Sequence, residues 1–378
     1  MIVALRGLYS MSKLFSPVTM RDVTMDNRIV VSPMCQYLSE DGSANDWHLM
    51  HLGQFAMGAG GLVITEATHV SPEGRITPKC LGLYSDENEQ TLKRVIEFCK
   101  AHGVARMGIQ LAHAGRKAST RPPLIGGGAL AAEEGSWSTV GPSAVGYGDW
   151  PAPVALDEAG LAKIKADFVA ATERSKRIGF DLIELHGGHG YLLHQFLSPL
   201  SNRRNDRYGG SIEGRMQFPL EIFAACRSVW PEHLPMGMRL SATDWVDGGL
   251  TIEETVEVAK ALCKAECDFV DVTSGGLHPD QKIAAGPGYQ VPFAERVKRE
   301  SGMTTMAVGM ITGAHQAEEI VASGKADLIA VARGMMDDPH WAWHAAQQLG
   351  VETKYPDQYV RCRPDLWRAL PGQFSAKR

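Results

Sequence analysis

The chain has 378 residues, of which 44% are hydrophobic and 21% are charged, as is ordinary for a globular protein that can bury a large core. Its formal net charge of −5 gives no indication of a nucleic-acid or anionic-membrane partner. The sequence has no uninterrupted apolar run of about 18 residues, so no transmembrane helix is predicted.

The cysteines and the amino-terminal segment suggest a compartment and a domain limit. The seven cysteines are scattered and include no C-x-x-C pair, which argues against a zinc ribbon or an iron–sulfur cluster. Reduced thiols in a cytoplasmic protein are the simplest interpretation. The opening segment is too short and too broken for a secretory signal, and Met11 begins a more natural start. We therefore expect an extension over residues 1–11 and a single domain over residues 12–378.

Short β-branched segments alternate with helical patterns along the whole chain. Their nearly continuous apolar character is typical of strands that are buried on both faces. The predicted strands cover residues 28–33, 61–68, 107–113, 182–186, 235–241, 269–274, 304–309 and 328–333. Helices are predicted between them, and the clearest cover residues 158–177, 253–265 and 314–322.

Eight strands that alternate with helices form either a closed barrel or an open doubly wound sheet. The first strand is followed by SPMCQY instead of the glycine-rich dinucleotide fingerprint of an open sheet. Polar residues stand at the carboxyl ends of nearly all the strands, where a barrel has its active site. We therefore predict an α/β fold, a (β/α)₈ TIM barrel. Residues 114–157, after the third strand, exceed a normal connection and are predicted to form a lid or a small hairpin insertion.

The densest group of reactive side chains follows the fourth predicted strand. His186 ends that strand, His189 comes about one helical turn later, and Tyr191 can reach the same pocket. Two imidazoles can donate hydrogen bonds to one carbonyl oxygen, and a tyrosine hydroxyl can supply a proton to carbon. A metal pair is an alternative that would need a third ligand, and packing or loop hydrogen bonding is another. We predict no metal site.

Four segments carry a resemblance to a known family. The stretch HGGHGYLLHQFLSPLSNRRNDRYGGS at 186–211 closely resembles the one that follows the fourth strand in Old Yellow Enzymes. The segments SPMCQY at 32–37, GIQLAHAGRK at 108–117 and AVGMIT at 307–312 resemble the thermophilic-like class, which includes the xenobiotic reductases. The similarity runs from about Lys13 to the carboxyl terminus. It implies an FMN-binding (β/α)₈ barrel that is reduced by NADPH or NADH.

The resemblance assigns residues to the flavin ring. Ser32, Pro33, Met34 and Cys35 would lie along the isoalloxazine, and Ala67 would leave room for it. Gln110 has a donor and an acceptor for the pyrimidine edge, and Arg239 would stabilise anionic reduced flavin near its N1–C2 edge. His186 is expected beside the same ring. The alternatives are a small buried thiol for Cys35, a structural glutamine for Gln110 and an ion pair of Arg239 with Asp271.

Barrel geometry and the resemblance together suggest a phosphate site. The loops after the seventh and eighth strands of such barrels commonly bind phosphate. Gly309 allows backbone N–H groups to approach closely, and the Arg333 guanidinium matches a phosphate group. Ala332 stands where the family usually has glycine, but it still offers its backbone N–H.

The resemblance also implies an activity, an ene-reductase that reduces the C=C bond of α,β-unsaturated carbonyl or nitro compounds. His186 and His189 would hold the activating oxygen, Tyr191 would protonate the α-carbon, and Tyr37 would contact the substrate. Arg361, in the tail, would reach the active site of a neighbouring subunit, so a homodimer or homotetramer is expected. The competing hypothesis is a non-catalytic flavin barrel that senses redox state through Cys35.

Overall fold

A computed structural model describes residues 12–58 and 60–367 of the chain, so the expected extension at residues 1–11 lies outside the described residues. The strands in this part of the chain are β1 (Val18–Met20), β2 (Val23–Met25), β3 (Ile29–Val31), β4 (Leu62–His69), β5 (Arg106–Ala112), β6 (Val140–Gly141), β7 (Val154–Ala155), β8 (Leu182–Gly187), β9 (Met236–Ser241), β10 (Phe269–Thr273), β11 (Thr304–Ala307) and β12 (Leu328–Val331).

Eight of these strands close into a parallel barrel, which confirms the predicted fold. Their order around the barrel is β3, β4, β5, β8, β9, β10, β11 and β12, and β12 pairs with β3 to complete the ring. Of the residues in these eight strands, all are buried except Arg106 and Thr304, at the starts of β5 and β11. This burial explains the nearly continuous apolar character of the strands, because helices cover the outside and side chains fill the inside.

Helices alternate with the strands, and the three whose bounds were predicted agree with the structure to within one residue at each end. In the described residues they are α1 (Asp46–Gly58), α2 (Asp86–His102), α3 (Glu158–Ile178), α4 (Leu192–Leu197), α5 (Ile212–Val229), α6 (Ile252–Lys264), α7 (Val291–Ser301), α8 (Ala314–Ala322), α9 (Arg333–Asp337) and α10 (Trp341–Leu349). Helix α6 begins with a capping box, in which Thr251 accepts from the N–H of Glu254 and the Glu254 side chain accepts from the N–H of Thr251. None of the described helices is long and apolar enough to cross a membrane.

A hairpin that was not predicted closes the amino-terminal end of the barrel. Strands β1 and β2 pair in antiparallel fashion, and Met20 and Met25 pack against residues inside the barrel such as Leu62, Leu182 and Phe269. Each of its strands has only three residues, too few for a periodic signal. The hairpin removes this end of the barrel from water and leaves the carboxyl end for the site.

Residues 114–157 form the long connection expected after the third barrel strand. They contain three short 3₁₀ helices and the pair β6–β7, which is parallel and therefore not a hairpin. Trp137 of this connection packs against the same buried cluster as Tyr37 and Tyr191, and its indole Nε1–H donates to the Glu73 carbonyl at 2.9 Å. The segment thus borders the carboxyl end of the barrel, and its role as a lid stays a prediction.

Candidate active site

The end of β8 brings together the three side chains that were predicted to act on a substrate. His189 Nδ1 lies 3.3 Å from His186 Nε2, and the two ring centroids are 5.1 Å apart. The Tyr191 ring stands edge-on to His186 with the centroids 4.9 Å apart. Two ring nitrogens and one phenol therefore border the same small volume at the mouth of the barrel.

Both imidazoles are neutral around pH 7 in this environment. Burial lowers the pKa of His186 well below its usual value, and the neighbouring His189 lowers it further. Burial also lowers the pKa of His189, with Arg239 and Lys117 adding repulsion. The Gly188 N–H donates to His186 Nδ1 at 3.2 Å, so the proton of neutral His186 is on Nε2. That nitrogen is the one that faces His189.

Tyr191 is set up to donate a proton rather than to accept one. Burial raises the pKa of its hydroxyl well above the ordinary value, and the thiol of Cys35 and the hydroxyl of Tyr37 act in the same direction. The hydroxyl therefore stays protonated at neutral pH. Cys35, Tyr37 and Tyr191 all pack against the small buried cluster that contains Cys80, and the Tyr37 hydroxyl is hydrogen-bonded with the Cys35 thiol. The two predicted substrate-binding tyrosines are thus neighbours of the predicted flavin-side cysteine.

The turn that carries His189 is fixed through its backbone. His189 and Gly190 have φ of +54° and +74°, a left-handed conformation that costs energy for the histidine. The His189 N–H donates to Ser241 Oγ at 2.9 Å, and Lys117 Nζ donates to the His189 carbonyl at 2.9 Å. The Gly190 N–H donates to His194 Nδ1 at 2.9 Å. These bonds come from three other elements and offset the strain.

His194 is in turn held by a buried carboxylate. His194 Nε2 lies 2.9 Å from Asp244 Oδ1, and both side chains are completely buried. Asp244 Oδ2 accepts from Ser198 Oγ at 2.6 Å and from the Leu250 N–H at 2.7 Å. Burial alone raises the pKa of Asp244, but His194 and these donors lower it below its usual value. The carboxylate therefore fixes the His194 tautomer whose Nδ1 accepts from Gly190.

The predicted flavin-side residues form a ring at one level of the barrel. Cys35 receives a hydrogen bond from the backbone of Ala67, which pairs in register with Gln110. Gln110 Nε2 donates to Glu184 Oε1 at 2.7 Å. Arg239 pairs in register with Asp271, and its Nε lies 3.0 Å from Asp271 Oδ2, so the expected alternative ion pair is present. Arg239 can make this ion pair and still offer its other guanidinium N–H groups.

The segment 32–37 is anchored to neighbouring strands. The Ser32 N–H donates at 3.0 Å to the carbonyl of Val331, the last residue of strand β12. The Gln36 N–H donates to Glu66 Oε2 at 3.1 Å, and Glu66 Oε1 lies 3.3 Å from His48 Nε2. The hydrogen bonds of Ser32 and Gln36 therefore fix both ends of the segment Pro33–Cys35. The segment can thus form a rigid surface against which a planar ring could pack.

The predicted phosphate-binding residues line one cavity. A cavity of about 570 Å³ at the ends of β11 and β12 is bordered by Gly309, Ala332 and Arg333. Gly309 has φ of +120°, and a Cβ there would lie 2.8 Å from Gln290 Nε2, so this position requires glycine. Gln290 also lines the cavity and was not predicted. The cavity suits a phosphate group that is held by backbone N–H groups and a guanidinium.

Arg361 stands apart from these groups. It is exposed on a 3₁₀ helix, Asp357–Cys362, that lies outside the barrel. Tyr359 of that helix packs against His340 and Trp343, at ring-centroid distances of 6.4 and 5.9 Å. Within one chain, the tail therefore presents its arginine to solvent.

Sequence reasoning missed the supporting residues Ser241, Thr273, His194, Asp244 and Lys117. Ser241 and Thr273 end strands β9 and β10, where polar side chains mark the functional face, so position alone could have indicated them. His194 and Asp244 are far apart in the sequence, and no local pattern joins them.

The fold and the site together define a class, the flavin-binding (β/α)₈ barrel oxidoreductases. The ring of FMN fits beside residues 32–37, Arg239 and Gln110. Its phosphate fits the cavity that is lined by Gly309 and Arg333. The class and the following comparisons agree.

Residues 13–352 match the profile of the NADH:flavin oxidoreductase / NADH oxidase family, and the chain belongs to that family. It is 43% identical over 350 residues to an NADPH dehydrogenase of Geobacillus thermodenitrificans, covering 92% of this chain and 98% of the relative. It is 44% identical over 366 residues to an NADH:flavin oxidoreductase of Gibberella zeae, covering 92% and 88%.

Solved structures give the same result. Morphinone reductase superposes with a TM-score of 0.74 at 28% identity, covering 92% of each chain. A 2-naphthoyl-CoA reductase complex has a TM-score of 0.80 at 23% identity, covers 90% of this chain and 53% of its own, and supports the fold alone. The resemblance to Old Yellow Enzymes is therefore confirmed, and the chain is an FMN-dependent NAD(P)H oxidoreductase.

Proposed function

We propose that the chain is an ene-reductase that reduces the C=C bond of α,β-unsaturated carbonyl or nitro compounds. The observation that carries this proposal is the 3.3 Å approach of His186 Nε2 and His189 Nδ1 beside Tyr191. Two donors that converge on one oxygen stabilise the negative charge that develops there when the β-carbon is reduced. A redox sensor would need neither the histidine pair nor the phenol.

Each residue has a defined part in this proposal. When bound, FMN would supply the hydride from its N5 atom, and the β-carbon of the substrate would receive it. The flavin ring would be held by residues at the carboxyl ends of the first five barrel strands: Ser32, Pro33, Met34, Cys35, Ala67, Gln110, His186 and Arg239. The phosphate would be held by Gly309, Ala332 and Arg333. His186 and His189 bind the substrate oxygen, and Tyr37 contacts the substrate. Tyr191 gives its proton to the α-carbon, which the raised pKa of its hydroxyl permits because the proton is present at neutral pH.

Tyr191→Phe tests the proposal by separating the two half-reactions. The substitution removes one hydroxyl, so reduction of the bound flavin by NADPH or NADH should proceed at nearly the wild-type rate. Reoxidation by 2-cyclohexenone or a nitroalkene should slow by about 10²–10⁴-fold, the usual contribution of a general acid. Anaerobic stopped-flow absorbance measures both rates. Equal slowing of both would assign Tyr191 a packing role, and a wild-type flavin that no enone or nitroalkene reoxidises would support the sensor.

We further propose a homodimer or homotetramer in which Arg361 enters the neighbouring subunit's site. Large apolar side chains are exposed around the tail, with Met50, Phe98 and Tyr359 at 56%, 45% and 38% exposure along one cavity. Such a surface is typical of an interface, and arginine is enriched in interfaces.

Mixed dimers test this assembly. Subunits with Tyr191→Phe and His186→Ala are dissociated and reassociated with Arg361→Ala subunits. If the arginine acts in the partner's site, verified hybrids should recover one intact site, formed by the Arg361→Ala barrel and the other subunit's tail. Full activity of Arg361→Ala alone, or no recovery in hybrids, would refute the proposal.

A further inference from the structure

A buried hydroxyl stands behind the histidine pair. Thr273 ends strand β10 and is 3% exposed. Its Oγ1 lies 3.0 Å from His189 Nε2 and 3.2 Å from Gln290 Oε1. The same Gln290 oxygen also accepts from Ser274 Oγ at 2.6 Å. Thr273 therefore has one neighbour that can accept or donate and a second that only accepts.

The hydrogen bonds define a direction through these groups. His186 accepts at Nδ1 from the Gly188 N–H, so its Nε2–H points at His189 Nδ1. As the rings stand, His189 Nδ1 accepts, and neutral His189 carries its proton on Nε2. That proton is donated to Thr273 Oγ1, whose own hydroxyl hydrogen goes to Gln290 Oε1.

A bound oxygen between the two histidines requires the opposite arrangement at His189. Both facing nitrogens must then be donors, so the proton of His189 has to be on Nδ1. A neutral imidazole with a proton on Nδ1 has an acceptor at Nε2. A cationic His189 would also donate from Nδ1, but burial together with Arg239 and Lys117 disfavours the cation. The neutral Nδ1–H tautomer needs a donor facing Nε2, and the Thr273 hydroxyl stands there.

We propose that Thr273 is a positioning residue that selects the His189 tautomer required to bind the substrate oxygen. Its hydroxyl rotates from Gln290 to His189 Nε2, and Ser274 remains as a donor to Gln290, so no buried acceptor is left without a partner. The ring of His189 does not move, because its other contacts are unchanged by the rotation. This inference rests on the proposed ene-reductase function and adds the group that makes the second donor available.

The test uses the FMN-loaded enzyme and p-hydroxybenzaldehyde, whose phenolate would occupy the oxygen site. Thr273→Val keeps the shape of the side chain and removes the hydroxyl, so its charge-transfer titration should show about 10–100-fold weaker binding. Thr273→Ser retains a hydroxyl and should stay within about threefold of wild type. Nitrogen-15 NMR of labelled histidine should find Nδ1 of His189 protonated in the wild-type and Thr273→Ser complexes, and not in Thr273→Val.

A second variant keeps the inference testable if Thr273→Val does not fold. Ser274→Ala leaves Thr273 in place but removes the other donor to Gln290, so the Thr273 hydroxyl is drawn away from His189. Phenolate binding should weaken severalfold. Wild-type affinity and an unchanged His189 tautomer in Thr273→Val, or in Ser274→Ala when the valine variant does not fold, would overturn the role of Thr273. A wild-type enzyme that neither binds the phenolate nor is reoxidised by an enone would instead overturn the proposed function.

Discussion

At the residue scale, the burial of Cys35 changes the protonation and the reactivity of its thiol. Burial raises the pKa of its thiol well above the usual value, and Cys80 and Glu66 add to the increase. The thiol is therefore neutral and unsuited to act as a nucleophile. It donates or accepts weakly beside the proposed ring position, where it can tune the cofactor's electronics.

Cys35→Ala should shift the reduction potential of bound flavin, or change the rate of the oxidative half-reaction, without abolishing turnover. The cause is the loss of a polarisable group next to the ring, since the thiol transfers no hydride. Spectroelectrochemistry measures the potential. Cys226→Ala is the matched control, because Cys226 is a buried thiol within α5. Identical potentials and rates in Cys35→Ala and wild type would leave Cys35 as a packing residue.

At the scale of elements, the short helix α4 controls the turn that precedes it. The Asp244 carboxylate orients His194, and His194 accepts the N–H of Gly190. One buried hydrogen bond between a carboxylate and an imidazole therefore fixes the backbone between His189 and Tyr191. Stability and geometry depend on different atoms of His194, so two substitutions can separate them.

His194→Asn and His194→Gln should have opposite effects. The Asn oxygen can occupy the position of Nδ1 and keep the Gly190 bond, but the buried Asp244 carboxylate loses its hydrogen bond from residue 194, which costs about 1.5–3 kcal/mol. The Gln amide can reach Asp244 but leaves the Gly190 N–H without an acceptor. We expect lower stability with near-normal enone reduction for Asn, and slower enone reduction with intact flavin reduction for Gln. Urea unfolding and stopped-flow rates measure these effects, and the same ranking in both assays would contradict the separation.

At the scale of the whole molecule, the barrel interior buries two carboxyl groups beside a single guanidinium group. Glu184 and Asp271 are fully buried with Arg239, and Glu184 Oε2 and Asp271 Oδ1 have no hydrogen-bond partner in the described residues. Burial, then the charge of Asp271, raises the pKa of Glu184 to about 8, against the lowering effects of Arg239 and Gln110. The pKa of Asp271 is also raised by burial. A neutral Glu184 leaves one carboxylate for one guanidinium.

Glu184 should therefore make stability depend on pH. Between about pH 4.3, where an unfolded glutamate loses its proton, and about 8, the folded state binds more protons than the unfolded state. The free energy of unfolding should accordingly fall as the pH rises through this window. Glu184→Gln is neutral at every pH, so its stability relative to wild type should increase from pH 5 to pH 8. Urea denaturation with excess FMN measures this difference, and Glu97→Gln on the exposed face of α2 is the control. A constant difference between Glu184→Gln and wild type would contradict the raised pKa.

Local sequence patterns were enough to predict the barrel and its central histidine–tyrosine motif. Strands such as β3 and β12 are continuous apolar runs because both their faces are buried, and this property is local enough to be read directly. The bounds of helix α8 were predicted correctly because a helical pattern is set by residues only three or four positions apart. His186, His189 and Tyr191 lie within six residues of one another, so their proximity needed no tertiary information.

The contacts that hold those three residues in place could not be predicted, because they form only when the barrel closes. Barrel closure brings Thr273 to His189, and it brings Asp244 to His194, across distances in sequence that carry no periodic signal. The hairpin β1–β2 was missed for a related reason. Met20 and Met25 are buried only because they pack against residues inside the closed barrel, which are distant in the sequence. A hydrogen bond or an ion pair between residues distant in the sequence forms only when the eight strands close into a ring. By contrast, a strand that is buried on both faces can be predicted from its own apolar composition.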